Sequence, residues 1–109
     1  MLCKGHHVAG NVIDNETRCV HYHSRLDIIA IKFYCCDTYF PCFQCHEEVG
    51  CGSPEVWPAD KFDEKAILCG SCGNELTVNE YRDCDSACPY CKAEFNPGCS
   101  LHATLYFEK

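Results

Sequence analysis

The sequence predicts a small, irregular α+β fold held together by cross-links through cysteine and histidine rather than by a large apolar core. Three observations carry this. Thirteen cysteines fall within 109 residues, well above the share that marks a cysteine-scaffolded chain. Two Cys-x-x-Cys pairs, Cys69–Cys72 and Cys88–Cys91, have fifteen residues between them, the spacing of a four-cysteine zinc site. Every stretch with a strand or helix pattern is short, so little apolar area is available to bury, and small cores of this kind depend on metal or covalent links. The expected fold is therefore zinc-stabilised, with zinc knuckles, short β-strands and one short helix.

Taken in order, residues 1–16 show no periodic pattern and are expected to form a loose N-terminal arm, with the zinc-binding domain spanning 17–109. Asp27 to Tyr34 is rich in isoleucine and aromatics and reads as a strand. Ile28, Ala30 and Lys32 share one of its faces; Ile29, Ile31 and Phe33 share the other. Gly52-Ser53-Pro54 opens an acidic, proline-containing connector that carries Trp57 and Phe62. Trp57 is expected to pack, and the acids from Glu47 to Glu64 to form a solvated face. Ala66-Ile67-Leu68 reads as a short strand leading into Cys69. Thr77-Val78-Asn79-Glu80 fits a capping box, which predicts a short helix to about Arg82. Ala103 to Phe107 reads as a final strand.

Cysteine in this quantity means either disulfides or metal. Met1 to His7 lacks the apolar stretch of a secretory signal, so a reducing, cytoplasmic setting is expected, where thiols stay available to metal. The odd number of cysteines also argues against a closed set of disulfides. No apolar run approaches membrane-spanning length, since Leu26 to Tyr34 is interrupted by Asp27 and Lys32. The formal charge is −7, and three zinc sites built from thiolates and two histidines would bring it to about −11. That balance opposes phosphate binding, so no nucleic-acid partner and no membrane is expected.

The ligands follow from geometry. A Cys-x-x-Cys turn aims two thiolates at one ion, and Cys69, Cys72, Cys88 and Cys91 together supply a closed tetrahedral set. The earlier block holds Cys19, His21, Cys35, Cys36, Cys42, Cys45 and His46. Two further closed sites need eight ligands, and Cys51 is the natural eighth. One partition gives Cys19, His21, Cys42 and Cys45 to one ion, and Cys35, Cys36, His46 and Cys51 to another. Cys99 and His102 are left over; with His23 and Cys84 they would make a fourth site. Three zinc ions are expected, and a fourth is open to that residual set.

Arg18-Cys19-Val20-His21-Tyr22-His23, the Cys35-Cys36-Asp37 turn, Cys42-x-x-Cys45-His46-Glu47-Glu48 and Cys88-Pro89-Tyr90-Cys91 with Phe95-Asn96-Pro97-Gly98-Cys99 resemble the CHY-type zinc finger family. The resemblance spans roughly Thr17 to Phe107. It implies three zinc ions in a module of irregular loops. The family includes a stand-alone mitochondrial assembly factor and a module that precedes a RING domain in a ubiquitin ligase; this layout is nearer the first. Where the family usually places a histidine after the Cys-His-Glu stretch, this chain has Cys51, and thiolate serves zinc at least as well.

The expected function is thus a zinc-binding module acting in protein interaction, assembly or metal handling, with an unidentified protein partner or client. No catalysis is expected, because the sites look ligand-complete and no His-Glu-x-x-His pattern occurs. The alternative is a thiol–disulfide oxidoreductase: Cys88-Pro89-Tyr90-Cys91 also resembles the glutaredoxin motif. In that family the motif follows a buried strand and opens a helix, whereas here Arg82 to Ala87 is polar and Asn96-Pro97-Gly98 follows too soon for a long helix.

Overall fold

A computed structural model describes residues 2–50, 55–84, 86–96 and 106–107. Its centre is a four-stranded antiparallel sheet in the order β4-β3-β5-β6, formed by β3 (Ile29–Phe33), β4 (Thr38–Phe40), β5 (Lys65–Cys69) and β6 (Glu75–Thr77). The register sets Ile31 opposite both Phe40 on β4 and Ile67 on β5, and Ile29 opposite Cys69. β-Branched and aromatic side chains suit this pleated, close-packed surface. Two short helices flank the sheet, α1 (Phe43–Val49) and α2 (Val78–Asp83). No helix among the described residues is long and apolar enough to cross a membrane.

The predicted strand at Asp27–Tyr34 corresponds to β3, but both of its faces are covered. Ile29, Ile31 and Phe33 enter the main core with Phe40, Ile67, Leu76, Trp57 and Phe62. Ala30 turns to the opposite face and joins a second cluster with Leu68, Tyr39, Cys3 and Val8. This second cluster explains why residues 2–16 differ from the loose arm expected of them. β1 (Leu2–Cys3) and β2 (His6–His7) pair as a hairpin, Val8 bridges to Tyr39, and the Ala9 amide donates to the Tyr39 carbonyl at 2.9 Å. Cys3 and Val8 are fully buried. The hydrophobic effect holds this segment down without any periodicity that a sequence would reveal.

The strand expected at Ala66–Leu68 lies within β5, and the predicted capping box is present: Thr77 Oγ1 accepts from the Glu80 amide while Glu80 accepts from the Thr77 amide. Helix α1 and strands β4 and β6 are additions to the sequence reading. Trp57 is buried, and its indole Nε1 donates to the Lys32 carbonyl at 2.6 Å, so the connector closes over the sheet. Of the final strand expected at Ala103–Phe107, residues 103–105 lie outside the described residues; Phe107 forms an isolated bridge with Trp57.

Candidate metal centres

Among the described residues, three groups of cysteine and histidine side chains converge: Cys19, His21, Cys42 and Cys45; Cys35, Cys36 and His46; and Cys69, Cys72, Cys88 and Cys91. Within each group the ligand atoms lie within 4.8 Å of one another.

The first group joins a loop to a helix start. Val12 and Cys19 form an antiparallel bridge, which turns the Cys19 thiol inward. Cys42 is the N-cap of α1, its sulfur accepting from the Cys45 amide at 3.4 Å. An N-cap and a residue three further on share one side of the helix start, so both thiols meet the same point. Arg18 secures the loop, its guanidinium donating to Asp14, Glu16 and the carbonyls of Ser24 and Arg25 at 2.7–3.0 Å. The second group links the β3–β4 turn to α1. His46 is buried, its ring stacked on Phe33 with centroids 4.1 Å apart and planes 2° from parallel, and edge-on to Phe40. In the third group Cys69 ends β5, Cys72 lies in the β5–β6 turn, and Cys88 and Cys91 form the opposing knuckle. Amides of Ser71 and Cys72 point at Cys69, and those of Tyr90 and Cys91 at Cys88.

The spacings test whether zinc fits. Tetrahedral zinc with Zn–S near 2.3 Å and Zn–N near 2.05 Å requires sulfurs about 3.8 Å apart and sulfur–nitrogen edges of about 3.6 Å. Cys69–Cys91 and Cys72–Cys88 sulfurs are each 3.8 Å apart, Cys19–Cys42 3.7 Å and Cys35–Cys36 4.0 Å. His21 Nδ1 lies 3.5 Å from Cys42 and 3.4 Å from Cys45; His46 Nε2 lies 3.3 Å from Cys35 and 3.7 Å from Cys36. These lie within a few tenths of an ångström of the edges of a zinc tetrahedron, so each of the three groups could hold a zinc ion.

Protonation in the metal-free clusters follows from burial and sharing. The hydrogen bond with Cys42 lowers Cys19 to about 5, and the same contact together with burial drives Cys42 up. Burial raises Cys45, Cys69 and Cys88. Burial works against ionisation of Cys72 as well, but the Asn74 amide and side chain outweigh it and bring that thiol to about 7. Burial lowers His46, which favours the neutral imidazole that metals bind. A buried thiol such as Cys88, held above its ordinary range, is a poor nucleophile at neutral pH, and no helix follows it among the described residues.

The ligand pattern has a matching family description: the CHY zinc finger covers residues 19–98. The chain belongs to the CHY zinc finger family. It is 46% identical to an uncharacterized protein of Schizosaccharomyces pombe, over 93% of this chain and 88% of that one. It is 44% identical to Helper of Tim protein 13 of Saccharomyces cerevisiae, over 93% of this chain and 90% of the relative, and 38% identical to the Kluyveromyces lactis protein of the same name, over 94% and 89%. No solved structure matches. All three ligand groups lie inside the CHY segment.

Of the other expected ligands, Cys51, Cys99 and His102 lie outside the described residues. His23 is exposed and Cys84 donates its thiol to the Tyr81 carbonyl at 2.9 Å; neither belongs to a ligand group among the described residues. Sequence reasoning missed Glu48, which it assigned to a solvated face. Glu48 touches the far side of the His21 ring, a contact between a loop and a helix twenty-seven residues apart that no local spacing signals.

Proposed function

We propose that this protein is a zinc-loaded, non-catalytic assembly factor that engages a protein client. The observation that carries the reading is 44% identity to Helper of Tim protein 13 over 93% of this chain and 90% of the relative, joined to three zinc-competent groups in one small fold. A client of the kind that name denotes is the favoured partner. Cys19, His21, Cys42 and Cys45 are proposed to hold one ion; Cys35, Cys36 and His46, with Cys51, a second; Cys69, Cys72, Cys88 and Cys91 a third. Closed thiolate-rich coordination supports a structural role for the metal, leaving the protein surface as the working part.

The test has two arms. Purified protein is expected to carry about three zinc equivalents, and immobilised zinc-loaded protein to capture a specific client that the metal-stripped form does not. Vigorous disulfide reductase turnover by the zinc-loaded protein, abolished in Cys88→Ser, would instead establish the oxidoreductase reading.

A further inference from the structure

We propose that Glu48, held in place by Asn11, is a positioning residue that fixes His21 as an Nδ1 ligand of the first metal centre. The inference rests on the reading that Cys19, His21, Cys42 and Cys45 hold zinc. His21 Nδ1 faces the three sulfurs, at 3.4–3.9 Å. Its other nitrogen, Nε2, lies 3.3 Å from both carboxylate oxygens of Glu48. A carboxylate only accepts, so in the neutral ring that binds metal Nε2 carries the proton and Nδ1 offers its lone pair. Asn11 closes the chain: its Nδ2 donates to Glu48 Oε1 at 2.7 Å, and its backbone amide points at the Cys45 sulfur.

Helix α1 itself does not favour a carboxylate at Glu48. It sits in the last turn of α1, where a negative charge opposes the helix dipole. Its side chain is 48% exposed, whereas that of His21 is 15% exposed, so the carboxylate also screens the ring from solvent. Asn11 comes from the N-terminal segment, before the start of the CHY match at Cys19. Gly10 reinforces the arrangement: at φ +95° it passes so close that a Cβ there would stand 2.7 Å from Cys45 Cβ. The N-terminal segment therefore completes the surroundings of a metal centre that the family pattern defines without it.

Removing a carboxylate that orients a ligating histidine weakens metal binding by about 10–100-fold. In chelator competition at fixed pH, Glu48→Ala is expected to weaken one zinc equivalent by about that factor and leave the others unchanged. Glu48→Gln keeps an oxygen acceptor and should retain most of the affinity; Asn11→Ala should show a smaller loss at the same equivalent. A role confined to the helix predicts the opposite sign, since Glu48→Ala removes an unfavourable dipole contact. Independently of any variant, long-range proton–nitrogen NMR of zinc-loaded wild type should find His21 protonated at Nε2 and metal-shifted at Nδ1. The proposal is overturned by an Nε2-bound His21, by Glu48→Ala affinities equal to wild type, or by a loss spread evenly over all equivalents. If Cys42→Ser removes no zinc, the ligand reading itself falls and this inference with it; wild-type stoichiometry intact with Glu48→Ala silent sinks the inference alone.

Discussion

Gly50 shows how little room a metal ligand has here. A Cβ at this position would run into the His46 carbonyl and stand 2.6 Å from its ring, and the ring is pinned from its other sides by Phe33 and Phe40. Gly50→Ala must therefore displace His46 or its backbone, at a cost of about 1–3 kcal/mol typical of overpacking. The expected outcome is a lower midpoint in denaturant and weaker binding of one zinc equivalent; an unchanged midpoint would mean that the ring has space to yield. Cys88→Ser makes a cleaner test of a single ligand. It should remove the equivalent held by the four-cysteine group and spare the others, counted with a colorimetric chelator; loss of none would take Cys88 out of the ligand set. At this scale the candidate ligands were readable because cysteine and histidine announce themselves by type and spacing. Phe33, Gly50 and Glu48 were not, because their roles arise only when distant segments meet.

Helix α2 links secondary structure to the third candidate metal centre through one carboxylate. Glu80 accepts from the Thr77 amide at 2.9 Å, from the Tyr90 hydroxyl at 2.6 Å and from Lys65 at 3.4 Å, and Tyr90 lies inside the Cys88–Cys91 knuckle. The Thr77 amide foremost, then Tyr90, hold Glu80 at about 2, below its ordinary 4.5. The ionised form is the one the fold favours. Its contribution is therefore complete above pH 4.5 and is lost as pH falls toward 2. While the fold persists, the Glu80 carboxyl carbon followed by NMR should show no titration near pH 4.5; a midpoint there would count against these contacts. Thr77→Ala removes the reciprocal bond and should cost about 1 kcal/mol in denaturant unfolding. The capping box was legible in the sequence because its partners are three residues apart. Helix α1 was not: its N-cap is a cysteine, which carries no capping preference. The N-terminal hairpin was missed for a related reason, since two-residue strands have no periodicity and declare themselves only by the buried Ala30, Tyr39 and Leu68 they cover.

The three candidate metal centres join the ends of regular elements to irregular loops. The sheet positions Cys69 and the turn bearing Cys35 and Cys36, but residues 11–25 and 86–96 contain no helix or extended strand, only isolated bridges and turns. Cys19, Cys45, Cys69 and Cys88 are fully buried in the same core as Ile67 and Leu76, so the candidate ligands are also packing groups. Metal removal leaves either neighbouring thiolates under 4 Å apart with no counter-charge, or thiols that must take up protons; both weaken the core. Structural zinc contributes roughly 10 kcal/mol or more in small zinc-finger peptides, against about 5–15 kcal/mol for the whole stability of a domain. With three centres, chelation at neutral pH should unfold the chain as a unit. The measurement is a proton–nitrogen correlation spectrum before and after complete removal of zinc, alongside far-ultraviolet circular dichroism. Collapse of amide dispersion, restored on adding zinc, is the expected result. A demonstrably metal-free sample that kept its native spectrum would mean that β3, β4, β5 and β6, with Trp57 and Phe62 packed against them, suffice to hold the fold without metal.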